Sequence, residues 1–539
     1  MQLKQAIEAD SATAGVLLEM AGIFPESGSI RLCYDSEGNI YEIPVFVVND
    51  PVKFLEEGGY VPPPKKERHE EDITVKLRGI NGQDTKIQIN TGKLVSELKA
   101  QYSQENENPE GNVRLFFGGK EMKDNKLAIN GVDYRKPTNP VVAVIVDGGD
   151  REYLEHGIKK GLIPNLERYM ETGFFTMVQG TMPSFTCPNN MSISTGCPPS
   201  MHGISGNFYL DRQTNEPVVM TGPELLRVHT VMTEFSRAGE RVVSITAKDK
   251  LRRQLQKGMD LSSGSVSFSS QHADRCTLAE NGIEDVLEMM GRELPDMYSA
   301  DLSFFVLDAG IHLLRERRPS VMYLSLTDFI QHAYEPGHPE ADRFYSEIDK
   351  RFGELEALGA TLGLVADHGM GDKTNADGSP RVVWLQQILD ERFGAGSSTV
   401  ICPITDAFVG HHGALGGFVR VYCHGELTGA EVISAIQGIE GIEETLDREA
   451  VCKRFDLPFE PEGDVAVLAD SQSVIGTRPE DHDLSGLKGH VLRTHGSIYE
   501  ASVPMILSRP VNDEYARRAE TEQLHSYQLF DFAINGTVS

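Results

Sequence analysis

The feature that most constrains this chain is a set of apolar, β-branched runs that each close on an aspartate. VVAVIVDGG (141–149), VMYLSLTD (321–328) and TLGLVADHG (361–369) are continuous, not alternating, and RVVSITAKD (241–249) is of the same kind. A strand that is apolar on both faces must be covered on both faces, as in the parallel sheets of α/β proteins. Helical periodicity accompanies these runs, in IPNLERYMETG and EIDKRFGELEALG, so helices on both sides of a parallel sheet are expected. Ligands of open α/β sheets gather outside the carboxyl ends of the strands, and Asp147, Asp328 and Asp367 stand at such ends. One aspartate there is an ordinary turn or helix cap. Three, each joined by further ligand types, are a candidate site.

His332 follows Asp328 in TDFIQHAYEPG. A helix starting there would put both side chains on one face, four residues apart. His368 adjoins Asp367 in ADHGM, where Gly369 permits a sharp bend or a close approach. His495 again precedes a glycine in LRTHGSIYEASVPMIL. Carboxylate and imidazole ligands without thiolates suit a catalytic metal with open positions for substrate. The seven cysteines (33, 187, 197, 276, 402, 423 and 452) form no CxxC pair, which argues against a disulfide framework and a thiolate zinc site. Thr186, in MPSFTCPNNMSISTG, is the nucleophile candidate; its hydroxyl is unreactive until an adjacent cation lowers its pKa. On that segment alone, a threonine in a proline-bounded turn is the plainer reading. The formal net charge of −29 argues against nucleic acid as a partner, since phosphate backbones are met by Lys and Arg.

At 539 residues the chain should divide into two or three domains. No apolar run approaches the ~20 residues of a membrane helix, and MQLKQAIEADSATAG lacks the basic-then-apolar order of a secretion signal. A cytoplasmic protein without membrane contact is the expectation. Residues 1–61 form a small first segment and 62–71, rich in proline and then charge, a linker. DITVKLRG (72–79) and TKIQIN (85–90) alternate around Asn81-Gly82, a hairpin signal. KLVSELKAQYSQE (93–105) aligns Leu94, Leu98 and Tyr102 on one helical face, and NVRLFFGGKEM (112–122) is a strand entering a Gly-Gly turn. This ββαβ order, with RLFFGGKEMKDN, resembles the ubiquitin-like β-grasp domain over 72–135. CYDSEGNIYEIPVF ahead of a proline-rich linker resembles the ubiquitin-domain-containing proteins over 1–61. The segment ends NGVDYRKPTNP, without a Gly-Gly tail, so the resemblance implies a fixed module for a ubiquitin-pathway protein, not a modifier. The alternative is a small α+β domain that only aids folding. Residues 424–480 read as a smaller α/β cap within 138–539.

The order Asp147-Gly148, Thr186 before Pro188-Asn189, Asp328/His332, Asp367-His368-Gly369 and His495-Gly496 resembles the metal-ligand order of the alkaline phosphatase superfamily. The branch with a threonine nucleophile contains the nucleotide pyrophosphatase/phosphodiesterases, and STGCPPSMHGISGN (194–207) is similar to the stretch that follows their nucleophile. Within it, PSFTCPNNMSISTG, ITAKDKLRRQL, TDFIQHAYEPG and ITDAFVGHHGALGGF resemble the phosphonoacetate hydrolases. That resemblance implies hydrolysis of the P–C bond of phosphonoacetate to acetate and phosphate, with two Zn2+ per chain. One zinc would be held by Asp328, His332 and His495, the other by Asp147, Asp367 and His368 with the Thr186 oxygen. Lys248 and Lys250 would grip the anionic ends of a small organophosphonate, and Asn189 or Asn190 would donate to a phosphonate oxygen. His411 and His412 would lie near the site without being ligands. A homodimer stays open. Two other readings compete: a nucleotide phosphodiesterase or pyrophosphatase, which needs a slot for a base, and a ubiquitin-pathway adaptor with a non-catalytic hydrolase-like half. The paired lysines favour a compact polyanion, and the complete ligand set favours an active enzyme.

Overall fold

The computed structural model describes residues 126–219, 222–405, 412–487 and 490–538, together with the backbone of strands Phe24–Glu26, Ser29–Tyr34, Ile40–Glu42, Asp72–Arg78, Asp84–Asn90, Leu115–Phe117 and Lys120–Met122. The chain divides into two compact units, Met1–Met122 and Lys123–Ser539. In the first, Asp72–Arg78 and Asp84–Asn90 form the expected antiparallel hairpin, with Arg78 opposite Asp84. Leu115–Phe117 and Lys120–Met122 pair across Gly118-Gly119, and the three strands before residue 43 form a small antiparallel sheet. The helix expected over 93–105 lies outside the described residues.

The second unit is built on a seven-stranded sheet. Its strands are β1 (Val141–Ile145), β2 (Phe174–Gln179), β3 (Val242–Thr246), β4 (Val266–Ser269), β5 (Val321–Ser325), β6 (Thr361–Val365) and β7 (Ser502–Leu507), in the spatial order β2-β7-β6-β1-β5-β3-β4. The block β6-β1-β5-β3-β4 is parallel, as the unbroken apolar runs require. The sheet is nevertheless mixed. β7 runs antiparallel to β6 and β2 antiparallel to β7, an extension the residue pattern did not disclose.

Alternate residues of one strand enter two different cores. Val142, Val144, Met322 and Leu324 pack with Phe304, Phe305, Phe344 and Phe352 on one face. Val141, Ala143, Ile145 and Tyr323 pack with Met191, Ile193, Phe235 and Phe530 on the other. Each fully buried Val or Leu contributes roughly 1.5–3 kcal/mol, so a polar substitution within β1 would unseat the layer that its side chain enters. A separate antiparallel sheet of four strands (Ser398–Ile401, Phe418–Cys423, Val465–Ala469, Ile442–Asp447) forms the cap. It reaches further back in the chain than the 424–480 expected. The hairpin Lys126–Ile129/Val132–Arg135, which the sequence attached to the ubiquitin-like segment, packs within the second unit: Tyr134 is fully buried and Arg135 donates to Ile534 O and Thr537 O. Among the described residues no helix is long and apolar enough to cross a membrane.

Candidate active site

Parallel register explains why the proposed ligands meet. Ile145 pairs with Ser325 on one side and Val365 on the other, and Ser325 pairs with Thr246. Asp147, Asp367 and Lys248 each lie two residues beyond those aligned ends, and Asp328 three beyond. Asp328 immediately precedes the short helix Phe329–Ala333, whose first turn carries His332 back over it, with His332 Nε2 3.0 Å from Asp328 Oδ2. Thr186 is the first residue of the buried helix Thr186–Thr195, and its Oγ1 lies 3.2 Å from His368 Nε2. His495 stacks on His368 with ring centroids 3.5 Å apart.

The three histidines are oriented alike. Nδ1 of His332, His368 and His495 bonds the carbonyls of Arg493, Gly369 and Ser184, at 2.6, 2.9 and 2.7 Å. A carbonyl only accepts, so each Nδ1 carries the hydrogen and each Nε2 turns toward the carboxylates, the usual support of a metal-binding imidazole. His412 is set the other way: its Nδ1 accepts from Ala414 N at 3.1 Å, so its neutral form is a donor through Nε2. Burial, with His332 and Lys248 nearby, keeps it neutral. His411 lies outside the described residues.

The residues fit a divalent cation. Asp328, His332 and His495 form one buried group whose ligand atoms lie within 4.8 Å of one another, and Asp147, Asp328 and His368 form another. Asp328 is common to both; the expectation had placed Asp367 in the second. Asp367 is buried beside them, its Oδ2 3.8 Å from His368 Nε2, while Asn190 Nδ2 and the backbone N–H groups of Gly148 and His368 donate to its oxygens. Burial and the Asp147 carboxylate push Asp367 well above the usual carboxylate range. Against burial, Asp367 and Asp147 raise His368 to about 10. Asp147 Oδ1 is buried and accepts no hydrogen bond of good geometry, although His368 Nε2 lies 3.1 Å away. This concentration of like charge is what a cation would neutralise.

One pocket joins these groups to the lysines. Asp147, Thr186, Asp328 and His495 line it together with Lys248, Lys250 and His412. Lys248 Nζ is 3.4 Å from Asp328 Oδ1. The two asparagines are placed differently from the expectation. Asn189 spends its amide on its own loop, accepting from Thr181 N and Oγ1 and donating to Thr181 O and Phe185 O. Asn190 donates to Asp367 and Thr186 O and accepts from Tyr323 and Ser325. Every side-chain polar atom of both has a partner inside the protein. Asn207, which ends the stretch STGCPPSMHGISGN, lines the pocket instead, its Oδ1 buried and its Nδ2 on Ile404 O. Ser184 was also missed from sequence: its carbonyl holds His495, while its hydroxyl donates to Ser497 O and accepts from Gly496 N.

The sequence profile of type I phosphodiesterases / nucleotide pyrophosphatases matches residues 141–412, half of the chain. The chain belongs to this family. It is a hydrolase of the alkaline phosphatase superfamily. A solved phosphonoacetate hydrolase of Sinorhizobium meliloti 1021, in complex with phosphonoformate, is 42% identical, with a TM-score of 0.74 over 77% of this chain and 100% of that one. The same enzyme in complex with phosphonoacetate gives 41% and 0.73 over the same shares. An uncharacterised pyrophosphatase/phosphodiesterase of Schizosaccharomyces pombe is 24% identical over 275 residues, 48% of this chain and 50% of that protein. The front of the chain matches the ubiquitin family over 73–128 and a ubiquitin-binding domain over 1–57. There, ubiquitin domain-containing protein 1 of Rattus norvegicus is 32% identical over 120 residues, 21% of this chain and 52% of that protein. The chain thus spans about half the length of the curated relatives it matches.

Proposed function

We propose that this family member hydrolyses the P–C bond of phosphonoacetate, giving acetate and phosphate. The observation that carries the reading is a single pocket in which a threonine hydroxyl and a carboxylate–imidazole cluster face two lysines. Among its described lining residues there is no Phe, Tyr or Trp ring on which a nucleotide base would stack. The solved relative's complex with phosphonoacetate supports the same substrate class.

Two zinc ions, held by Asp328, His332 and His495 and by Asp147, Asp367 and His368, would supply Lewis-acid charge at the phosphonate and lower the pKa of the nucleophile. Thr186 Oγ attacks phosphorus in line, and the P–C bond breaks with its electron pair moving onto the methylene carbon. That carbanion is tolerable only because the adjacent carboxylate spreads it as an enediolate. Lys248 and Lys250 meet this developing charge, and the proton that Thr186 gives up to solvent on attack is regained from solvent at carbon, giving acetate. Water then cleaves the phosphothreonine, returning Thr186 and releasing phosphate. Asn207 and His412, both in the pocket, orient the bound anion. Residues 1–61 and 72–122, joined by 62–71, dock a ubiquitin-pathway protein on this reading, leaving 123–539 to the chemistry.

Phosphate release from phosphonoacetate, compared with release from nucleotide diesters, tests the proposal. Replacing Lys248 or Lys250 by alanine should lower kcat/KM for phosphonoacetate by ~2–4 kcal/mol of lost charge-assisted bonding. An activated aryl phosphate, which has no carboxylate, should suffer far less. Equal losses on both substrates, or outright preference for nucleotide diesters, would refute the phosphonate assignment.

A further inference from the structure

The two ligand groups lie on segments distant in the chain, and one buried ion pair stands where those segments meet. Lys373 follows the short strand Gly371–Asp372, which leaves the Asp367-His368 turn, and is fully buried. Its Nζ donates to Glu500 Oε1 at 2.7 Å and to Ser471 O at 2.8 Å. Glu500 is 4% exposed. Its other carboxylate oxygen accepts from Ser497 N at 3.0 Å and from Ser497 Oγ at 2.7 Å, two residues beyond His495. The Glu500 carbonyl accepts from Gly369 N at 2.7 Å, directly after His368. Between these points Gly371 and Asp372 pair with Thr494 and Arg493, and Arg493 O holds His332 Nδ1. A Cβ on Gly371 would come 3.0 Å from Lys373 Nζ and 3.1 Å from Glu500 Oε1, so this strand packs directly on the pair.

Stability is a weak reason for such a pair. Desolvating an ammonium and a carboxylate costs several kcal/mol per ion, and apolar replacements of equal volume are often neutral or better. A buried hydrogen-bonded network does, however, hold its members in one geometry, and each charged group here has at least two partners. Neither residue lines the catalytic pocket, so the pair acts through the loops it ties together.

We propose that Lys373 and Glu500 are positioning residues that set metal affinity by locking the Asp367-His368 turn to the His495 loop. The inference rests on the metal-dependent reading above. The test is equilibrium zinc binding by the full-length chain, in competition with a chromogenic chelator, at a temperature where circular dichroism shows every variant folded. Thermal unfolding of the metal-free proteins runs alongside. Wild type should bind zinc, and K373M and E500Q should each bind it about ten- to a hundredfold more weakly, the usual effect of removing a supporting group. The double variant K373M/E500L should recover metal-free stability relative to the single variants while its zinc affinity stays low. Single variants that bind zinc as wild type does would overturn the proposal, as would a double variant whose affinity returns with its stability. A wild-type chain that binds no zinc would overturn the metal reading itself, and this inference with it.

Discussion

Replacing Asn190 by alanine separates a supporting amide from one that touches substrate. The change deletes four hydrogen bonds: Nδ2 to Asp367 Oδ2 and Thr186 O, and Oδ1 from Tyr323 and Ser325. Tyr323 OH keeps only a long contact of 3.4 Å to the residue 190 carbonyl, and Asp367 keeps the N–H groups of Gly148 and His368. Depriving a buried polar group of its partner costs ~1–3 kcal/mol. Two hydroxyls, one carboxylate and one carbonyl are affected here, so after relaxation the loss should be about 4 kcal/mol. Urea unfolding of the metal-free protein measures it. In kinetics, kcat should fall steeply as Asp367 and the Thr186 turn lose their alignment, while KM for phosphonoacetate moves less than about threefold. Unchanged stability together with a KM raised about thirtyfold would show that the amide meets the substrate, and the reasoning would fail. Asn190→Asp adds a sharper case. It sets an acidic group 2.9 Å from Asp367 Oδ2, and carboxyls that close must share a proton, so zinc should bind more weakly.

Three further outcomes are expected. Thr186→Ala should abolish turnover of phosphonoacetate and of aryl phosphate while leaving zinc stoichiometry near two; Asp328→Ala should lower that stoichiometry, and full activity after verified metal removal would end the two-metal assignment. A chain beginning at Lys123 should keep wild-type activity, whereas one beginning at Asn139 loses the buried Ile129 and Tyr134 and should be less stable by about 3–5 kcal/mol, seen as a lower Tm. Burial, with Arg227 a smaller cause, lowers His202 to about 3. Unfolded histidine near 6.5 takes a proton that the folded residue refuses, so stability falls as pH drops from about 6.5 toward 3. His202→Gln should remove up to about 1.4 kcal/mol per pH unit of that slope, read from urea midpoints between about pH 4 and 6.

The parallel block, its two covered faces and the carboxylates at its strand ends were legible in the residues, because burial on both sides leaves a continuous apolar run and a carboxylate at its end breaks it. The spacing of Asp328 and His332 was legible for the same local reason, since one helical turn brings them together. The antiparallel strands β7 and β2 were not. Strand direction is set by which edge a segment meets, and β7 finds β6 across more than a hundred residues of chain. The asparagines show the same division. Asn189, Asn190 and Asn207 are alike in composition, but only folding decides that two of them meet the protein's own donors and acceptors while the third lines the pocket. The sequence by itself determined which side chains could bind a cation and activate a hydroxyl, because those are properties of residue type and order. Tertiary structure alone decided the histidine tautomers, the sharing of Asp328 between two ligand groups and the Lys373–Glu500 junction. Each depends on a carbonyl, carboxylate or ammonium supplied by a distant segment, and hydrogen bonds of that kind leave no periodicity in the chain.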